Sequence, residues 1–299
     1  MSKGLAKKIT QMFKPQTPLW GCELTPKHII IAAANNTRTS VRAKIASAVP
    51  AGTIVSSYSE PNIRNRELTT SMVKELLSET GFNGSEIVLV VPDDTVRIAF
   101  LTTENRAKNS EEQETFIRWK LKKTVPFDVD SAQIAYRILG SPQGSNAVDI
   151  LVAVAPRSVV GEYERLFDDL DIHAGMVIPA TLAALNLLKV PAGDSLVLKV
   201  APDCVTTTIF KDNKIQFYRR IADAPSLYDA AYPTAMYYQD KLGGAGLRQL
   251  FVCGYDEDLR PAMAELQEKL GLAAQRIEPV NVDDIFKPVL GSVHLSWQN

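Results

Sequence analysis

Residues 110–140, SEEQETFIRWKLKKTVPFDVDSAQIAYRILG, join a strongly specified helix to a proline corner and then to a strand. Ser110 with Gln113 three residues on predicts a capping box. Glu111, Glu112 and Glu114 stand at the positive end of the helix dipole and Lys120, Lys122 and Lys123 at its negative end. A helix over about 111–124 follows. Phe116, Ile117, Trp119 and Leu121 give it a broad apolar face, and Pro126 ends it with Phe127 placed to fold back onto that face. The stretch reads as a packed subdomain, suited to assembly more than to catalysis.

Outward from this segment the chain alternates strands with helices. Residues 19–24, 28–34 and 40–48 predict three short strands, 67–80 a helix with Met72, Val73, Leu76 and Leu77 on one side, and 87–91 a further strand. A second start follows: strands over 196–200, 205–210 and 214–221, helices over 226–242, 257–271 and 283–290, and a strand over 250–253. Pro233 makes the first of those helices doubtful or kinked. The Pro191-Ala192-Gly193 turn is the expected boundary, giving units 1–190 and 191–299, with an inserted unit at about 93–142 in the first. Two halves that each open with three strands suggest an internal duplication of the actin-like kind. Another doubly wound fold is the alternative. Strand order discriminates, because the actin-like plan needs an antiparallel edge hairpin in each half on an otherwise parallel sheet.

The order of parts around the opening segment resembles a known family. Val90, Val91 and Pro92 end a strand, 96–101 form an exposed strand, the helix carries Trp119, Val125-Pro126-Phe127 make a corner, and 135–140 run on as a strand. Residues 147–156 (AVDILVAVAP), 157–171 and 178–188 then match a buried strand and two helices. This is similar to the PilM proteins of type IV pilus assembly and their relatives in type II secretion. The specific part covers about 85–190, and a weak likeness runs through nearly the whole chain. The resemblance implies an actin-like (ribonuclease H-like) duplicated α/β fold with an inserted α+β subdomain in the first half. It implies a cytoplasmic scaffold, peripheral to the inner membrane, that binds the N-terminal cytoplasmic tail of a PilN-like bitopic membrane protein. The groove would lie between the main sheet and the insert, with Trp119, Lys122, Pro126 and Phe127 on its wall, an aromatic and basic surface for an extended apolar tail with nearby acids. Trp119 reads equally as core, and Phe127 reads first as core.

In the actin-like superfamily each half carries a phosphate loop with an Asp and glycines, since backbone amides must approach phosphate without a Cβ in the way. Here Glu23 replaces the Asp, Thr25 the glycine, and Pro26 removes an amide donor. In the second loop Lys199 stands in the acid's place and Ala201 and Pro202 in the glycine turn. Of a glycine-rich adenosine turn only Gly254 remains, followed by Tyr255, Asp256 and Glu257. These departures predict degenerate nucleotide loops, with neither ATP–Mg²⁺ as cofactor nor ATP hydrolysis. The alternative is an ATP-binding ATPase or small-molecule kinase of the same superfamily.

Other chemistries find little footing. The chain has no G-x-S-x-G elbow and no Gly-Lys pair for a P-loop, and His28, His173 and His294 lack metal-ligand spacing. Gly243, Gly244 and Gly246 read as a helix C-cap. At 299 residues and 45% hydrophobic the chain can bury two substantial cores, and a net charge of −1 offers no footprint for nucleic acid. Cys22, Cys204 and Cys253 lie in apolar runs without paired spacing and read as reduced core thiols.

No apolar run reaches the roughly 20 residues of a membrane span, and the N-terminus lacks the core of a secretory signal. Residues 1–16 contain Lys3, Lys7, Lys8 and Lys14 without an acid, and Leu5, Ile9, Met12 and Phe13 share one helical face. A basic amphipathic helix of this kind lies on an anionic membrane surface, with Lys7, Lys8, Ile9, Met12 and Phe13 as its contacts. A frayed terminus or a helix docked on a partner fits the same pattern.

Overall fold

The computed structural model describes residues 17–104, 107, 109–140, 147–188, 193–211, 214–255 and 258–294. The first half runs β1 (Trp20–Leu24), β2 (His28–Ala34), β3 (Val41–Ala48), α1 (Arg66–Glu79), β4 (Glu86–Val91), β5 (Arg97–Thr103), α2 (Ser110–Leu121), β6 (Ala132–Gly140), β7 (Val148–Pro156), α3 (Arg157–Asp168), β8 (His173–Pro179) and α4 (Ala180–Leu185). The second runs β9 (Ser195–Val200), β10 (Cys204–Lys211), β11 (Lys214–Ala222), α5 (Leu227–Lys241), β12 (Gln249–Cys253), α6 (Arg260–Leu270), β13 (Ala274–Arg276) and α7 (Lys287–Ser292).

The two main sheets share one topology. Strand order is β3-β2-β1-β4-β8 in the first and β11-β10-β9-β12-β13 in the second. In each, the first three strands of the half pair antiparallel and the remaining neighbours pair parallel. This is the duplicated actin-like arrangement that the sequence pattern anticipates, with an antiparallel edge hairpin in each half.

The continuous apolar run of β2, HIIIAAA, follows from burial on both faces. Ile29, Ile31 and Ala33 pack with Val73, Leu77, Tyr163 and Phe167 of α1 and α3. Ile30, Ala32 and Ala34 face the other half, in a cluster that takes in Val197, Phe210 and Phe251 of the second sheet. Helices α4 and α7 contribute Ala183, Ala184, Val289 and Leu290 to that shared core. Their approach is so close that a Cβ on Gly291 would lie 2.0 Å from the Ala183 carbonyl oxygen. One apolar core therefore joins the halves beneath the cleft.

The inserted unit is a three-stranded antiparallel sheet, β5-β7-β6, covered by α2. Ile117 and Leu121 of α2 pack on Ile150, Val152 and Val154. Its central strand is β7, so the unit extends to about residue 156 and the expected limit of 142 is too early. An apolar run such as DILVAVA reads alike as a buried parallel strand and as the middle of an antiparallel sheet. Residues 189–192, which include most of the expected domain boundary, lie outside the described residues.

Other expectations move in detail. The N-cap of α2 is Asn109, whose side chain accepts from Glu112 N at 2.8 Å, and Ser110 is the first helical residue. Asn caps as well as Ser does, so the sequence admits both registers. The helix expected over 178–188 is the end of strand β8 followed by the short α4, and β13 has only three residues to signal it. Helix α5 runs through Pro233, which is exposed, so the Asp229 carbonyl that loses its partner is on the outer side. Gly243 (φ 59°) follows its end, and Gly244 N donates to Tyr238 O at 3.1 Å, a C-cap as anticipated.

Candidate functional site

The β1–β2 and β9–β10 hairpins close through matching four-residue turns. Thr25-Pro26-Lys27-His28 is tied by Thr25 N donating to His28 O at 2.9 Å, and Ala201-Pro202-Asp203-Cys204 by Ala201 N donating to Cys204 O at 2.8 Å. Proline takes the second place of each, where its fixed φ suits the turn. Two residues before each turn stand Glu23 and Lys199, equivalent positions of opposite charge. The two amides at the far side of the first turn are already engaged: Lys27 N and His28 N donate to Thr25 Oγ1 at 3.3 and 2.8 Å.

Between the hairpins the two halves meet through polar side chains. Asp93 follows β4 in a short 3-10 turn and is 3% exposed. Its Oδ1 accepts from Thr181 N at 2.9 Å and Tyr218 OH at 3.1 Å, and its Oδ2 from Thr181 Oγ1 at 2.7 Å and Lys199 Nζ at 3.3 Å. Lys199 and Tyr218 come from the second sheet, Asp93 and Thr181 from the first half. Asp94, the next residue, is ion-paired with Arg220 of β11. Above them the Tyr255 hydroxyl lies 2.7 Å from both Thr25 Oγ1 and His28 Nδ1. The segment after β12 thus touches the turn between β1 and β2 across the two halves.

Glu23 is buried beside this cluster, and its Oε2 has no hydrogen-bond partner among the described residues. Burial pushes its carboxyl up to about 7, with Lys199 pulling down and Asp93 pushing further up. For Lys199 burial favours the neutral amine, and Asp93 and then Glu23 outweigh it, so the ammonium is held charged. Burial and the Asp93 carboxylate raise the Tyr218 phenol, which remains a donor. Gly254 N donates to Asp284 Oδ2 at 3.0 Å, and a Cβ there would lie 2.4 Å from the Leu259 side chain. Asp256 and Glu257 lie outside the described residues.

Asp94, Asp203 and Cys204 bring ligand atoms within 4.8 Å of one another. Arg220 already neutralises Asp94, and burial pushes the Cys204 thiol up to about 12, so the set suits a metal poorly. Burial likewise takes the Cys253 thiol up to about 12, and all three cysteines are free and buried.

The hairpin turns and the segment after β12 point to Glu23, Thr25, Pro26, Lys199, Ala201 and Gly254, whereas Asp93, Thr181 and Tyr218 join the cluster from outside them. The available signal was Pro92-Asp93-Asp94 at the carboxyl end of a parallel strand, where open α/β sheets gather their polar groups.

On the insert, Trp119 is 62% exposed, with its ring 6.3 Å from Phe116 and the Lys120 ammonium over both rings. It lines an open cavity of about 510 Å³ with Asn109, Glu111, Glu112, Thr115 and Phe116. That surface carries aromatic and acidic side chains, and it is distinct from the groove expected between the main sheet and the insert. Helix starts collect acids, so exposing the first turns of α2 exposes carboxylates. Lys122 is paired with Asp130 at 2.8 Å. Pro126 is exposed, and Phe127 is half-buried on the insert core with its ring 6.1 Å from Tyr58 of the first half. Arg97 lies over the Tyr58 ring at 4.2 Å. Phe127, Tyr58 and Arg97 therefore mark the junction between insert and main sheet, while Trp119 stands on the helix surface. Tyr58 and Arg97 carry no local sequence pattern that would single them out.

Residues 1–16 lie outside the described residues, and with them the proposed surface helix of Lys7, Lys8, Ile9, Met12 and Phe13. Among the described residues no helix is long and apolar enough to cross a membrane.

No protein-family model matches the chain, and no curated protein sequence does. Solved structures do. A chain of the PilM-PilN type IV pilus biogenesis complex superimposes with a TM-score of 0.78 at 15% identity, covering 93% of this chain and 98% of that one. A Bacteroides thetaiotaomicron protein with an actin-like ATPase fold gives 0.56 at 12% identity, covering 90% and 94%. The cytoplasmic domain of EpsL, an inner-membrane component of the Vibrio cholerae type II secretion system, gives 0.55 at 11% identity, covering 94% and 96%. The chain therefore has the actin-like fold, in an arrangement it shares over nearly its whole length with the PilM-PilN structure.

Proposed function

We propose that the chain is a cytoplasmic scaffold of a type IV pilus or related secretion machine, peripheral to the inner membrane, that works without turning over nucleotide. Its partner in this reading is the N-terminal cytoplasmic tail of a PilN-like bitopic membrane protein. One observation carries the nucleotide-free part: Tyr255 of one half hydrogen-bonds Thr25 and His28 of the other at 2.7 Å, across the place where a triphosphate would run. The amides of the first turn already have an acceptor in Thr25 Oγ1. Lys199 brings a positive charge where a hydrated Mg²⁺ would need a carboxylate.

Likeness to the PilM-PilN complex and the exposed Trp119 support the tail-binding part. A tail lying along the insert meets two surfaces of different character, the junction at Phe127 and Tyr58 and the aromatic shelf at Trp119. Aromatic anchors of this kind dominate recognition energies when they are covered.

Fluorescence anisotropy with a labelled synthetic peptide, the N-terminal cytoplasmic tail of a PilN-like bitopic membrane protein from the same genome, tests the reading. The expected result is saturable binding with Kd below about 100 μM, or about −5.5 kcal/mol, weakened at least tenfold by Trp119→Ala. Absence of binding at that concentration contradicts it.

A further inference from the structure

We infer that Lys199 is a resident counter-ion that latches the two halves together, making the closed cleft a property of the chain alone. Lys199 is on β9 of the second half, whereas Glu23 and Asp93 are on β1 and after β4 of the first. All three are buried, at 3%, 1% and 3% exposed, so no solvent replaces a missing partner. Without the ammonium, the first half presents the Asp93 carboxylate, with the Glu23 carboxyl beside it, to a dry interface. That is a charge arrangement that burial strongly disfavours and that separation of the halves relieves by admitting water.

The rest of the interface is built to hold this bolt. Asp93 is oriented by three further hydrogen bonds, two from Thr181 on its own side and one from Tyr218 opposite. Arg220 to Asp94 and Tyr255 to Thr25 repeat the cross-half theme on either side. The shared apolar core under α4 and α7 acts as the hinge side, so loss of the latch opens the cleft and leaves the base joined.

The latch is read by distance. Spin labels at Lys74→Cys on α1 and Glu268→Cys on α6 lie on exposed faces of the two halves, and the three native cysteines are buried and stay unlabelled. Nucleotide-free protein is expected to give one narrow distance distribution. Lys199→Met is expected to lengthen and broaden it, and Lys199→Met with Asp93→Asn to narrow it again. Lys199→Gln, which keeps a donor and loses the charge, covers the case in which the Met variant does not fold, and is expected to broaden the distribution as well. A wild-type distribution in the folded Lys199 variants overturns the latch. Since no ATP and no tail is present, that failure is distinct from a failure of the proposed scaffold role.

Discussion

Replacing Glu23 by Gln keeps the shape of the side chain and removes the one carboxyl of the cleft whose ionisation burial opposes most plainly. The folded chain holds the Glu23 proton up to about pH 7, against an ordinary 4.5. The unfolded chain loses it near the ordinary value, so wild-type stability falls as the pH rises from 4.5 to 7 and carries a constant penalty above. At about 1.4 kcal/mol per pH unit the penalty is on the order of 3 kcal/mol, undiluted by solvent because the group is fully buried. Glu23→Gln should therefore match the wild type at pH 4.5 and exceed it at pH 8, with a melting temperature raised by roughly 5 °C. Guanidinium unfolding and calorimetric melting of both proteins at the two pH values measure this. A variant less stable than wild type at pH 8, or a difference that does not change with pH, would refute the reasoning, since either means that Glu23 is ionised and held by a partner.

Gly291→Ala places a methyl 2.0 Å from the Ala183 carbonyl oxygen, which α4 and α7 can relieve only by moving apart. A loss of about 3 kcal/mol in chemical unfolding is expected, and a neutral result would mean that the two helices are not in contact. Asn109→Ala should cost about 1 kcal/mol, and Ser110→Ala far less, because Asn109 makes the capping bond; equal effects would restore the cap to Ser110. Tyr255→Phe removes the hydroxyl that joins Thr25 and His28 and should cost about 1–2 kcal/mol, read as a fall in melting temperature.

Much of the fold is legible from residue pattern, since β2, β4, β9 and β10 are rich in β-branched or apolar residues between turn residues, and β3 and β11 mix polar with apolar residues as half-exposed strands do. The double occurrence of x-Pro-x turns, TPKH and APDC, even displays the duplication directly. Elements carried by tertiary context escape such a reading. Strand β13 is three residues long, and β8 (HAGMVIP) mixes small and flexible residues, so both exist because β12 and β4 offer them an edge. The limits of the insert escape for a related reason, because burial on two faces hides which sheet a strand joins.

At the site, the strand positions of Glu23 and Lys199 follow from their place before the turns. Their encounter with Asp93 and Tyr218 joins residues far apart in the chain, and no local pattern encodes it. The surface of α2 illustrates the converse. Its acids are plain in the sequence, but that they surround Trp119, while Lys122 turns away to Asp130, depends on how the helix lies on β5, β6 and β7.

The central claim is that the cleft is closed by the chain's own side chains and holds no triphosphate. Isothermal titration of the full chain with Mg²⁺-ATP tests it most directly. The account predicts no saturable heat up to about 1 mM, an affinity no better than about −4 kcal/mol. A saturable one-to-one isotherm in the micromolar range would contradict it.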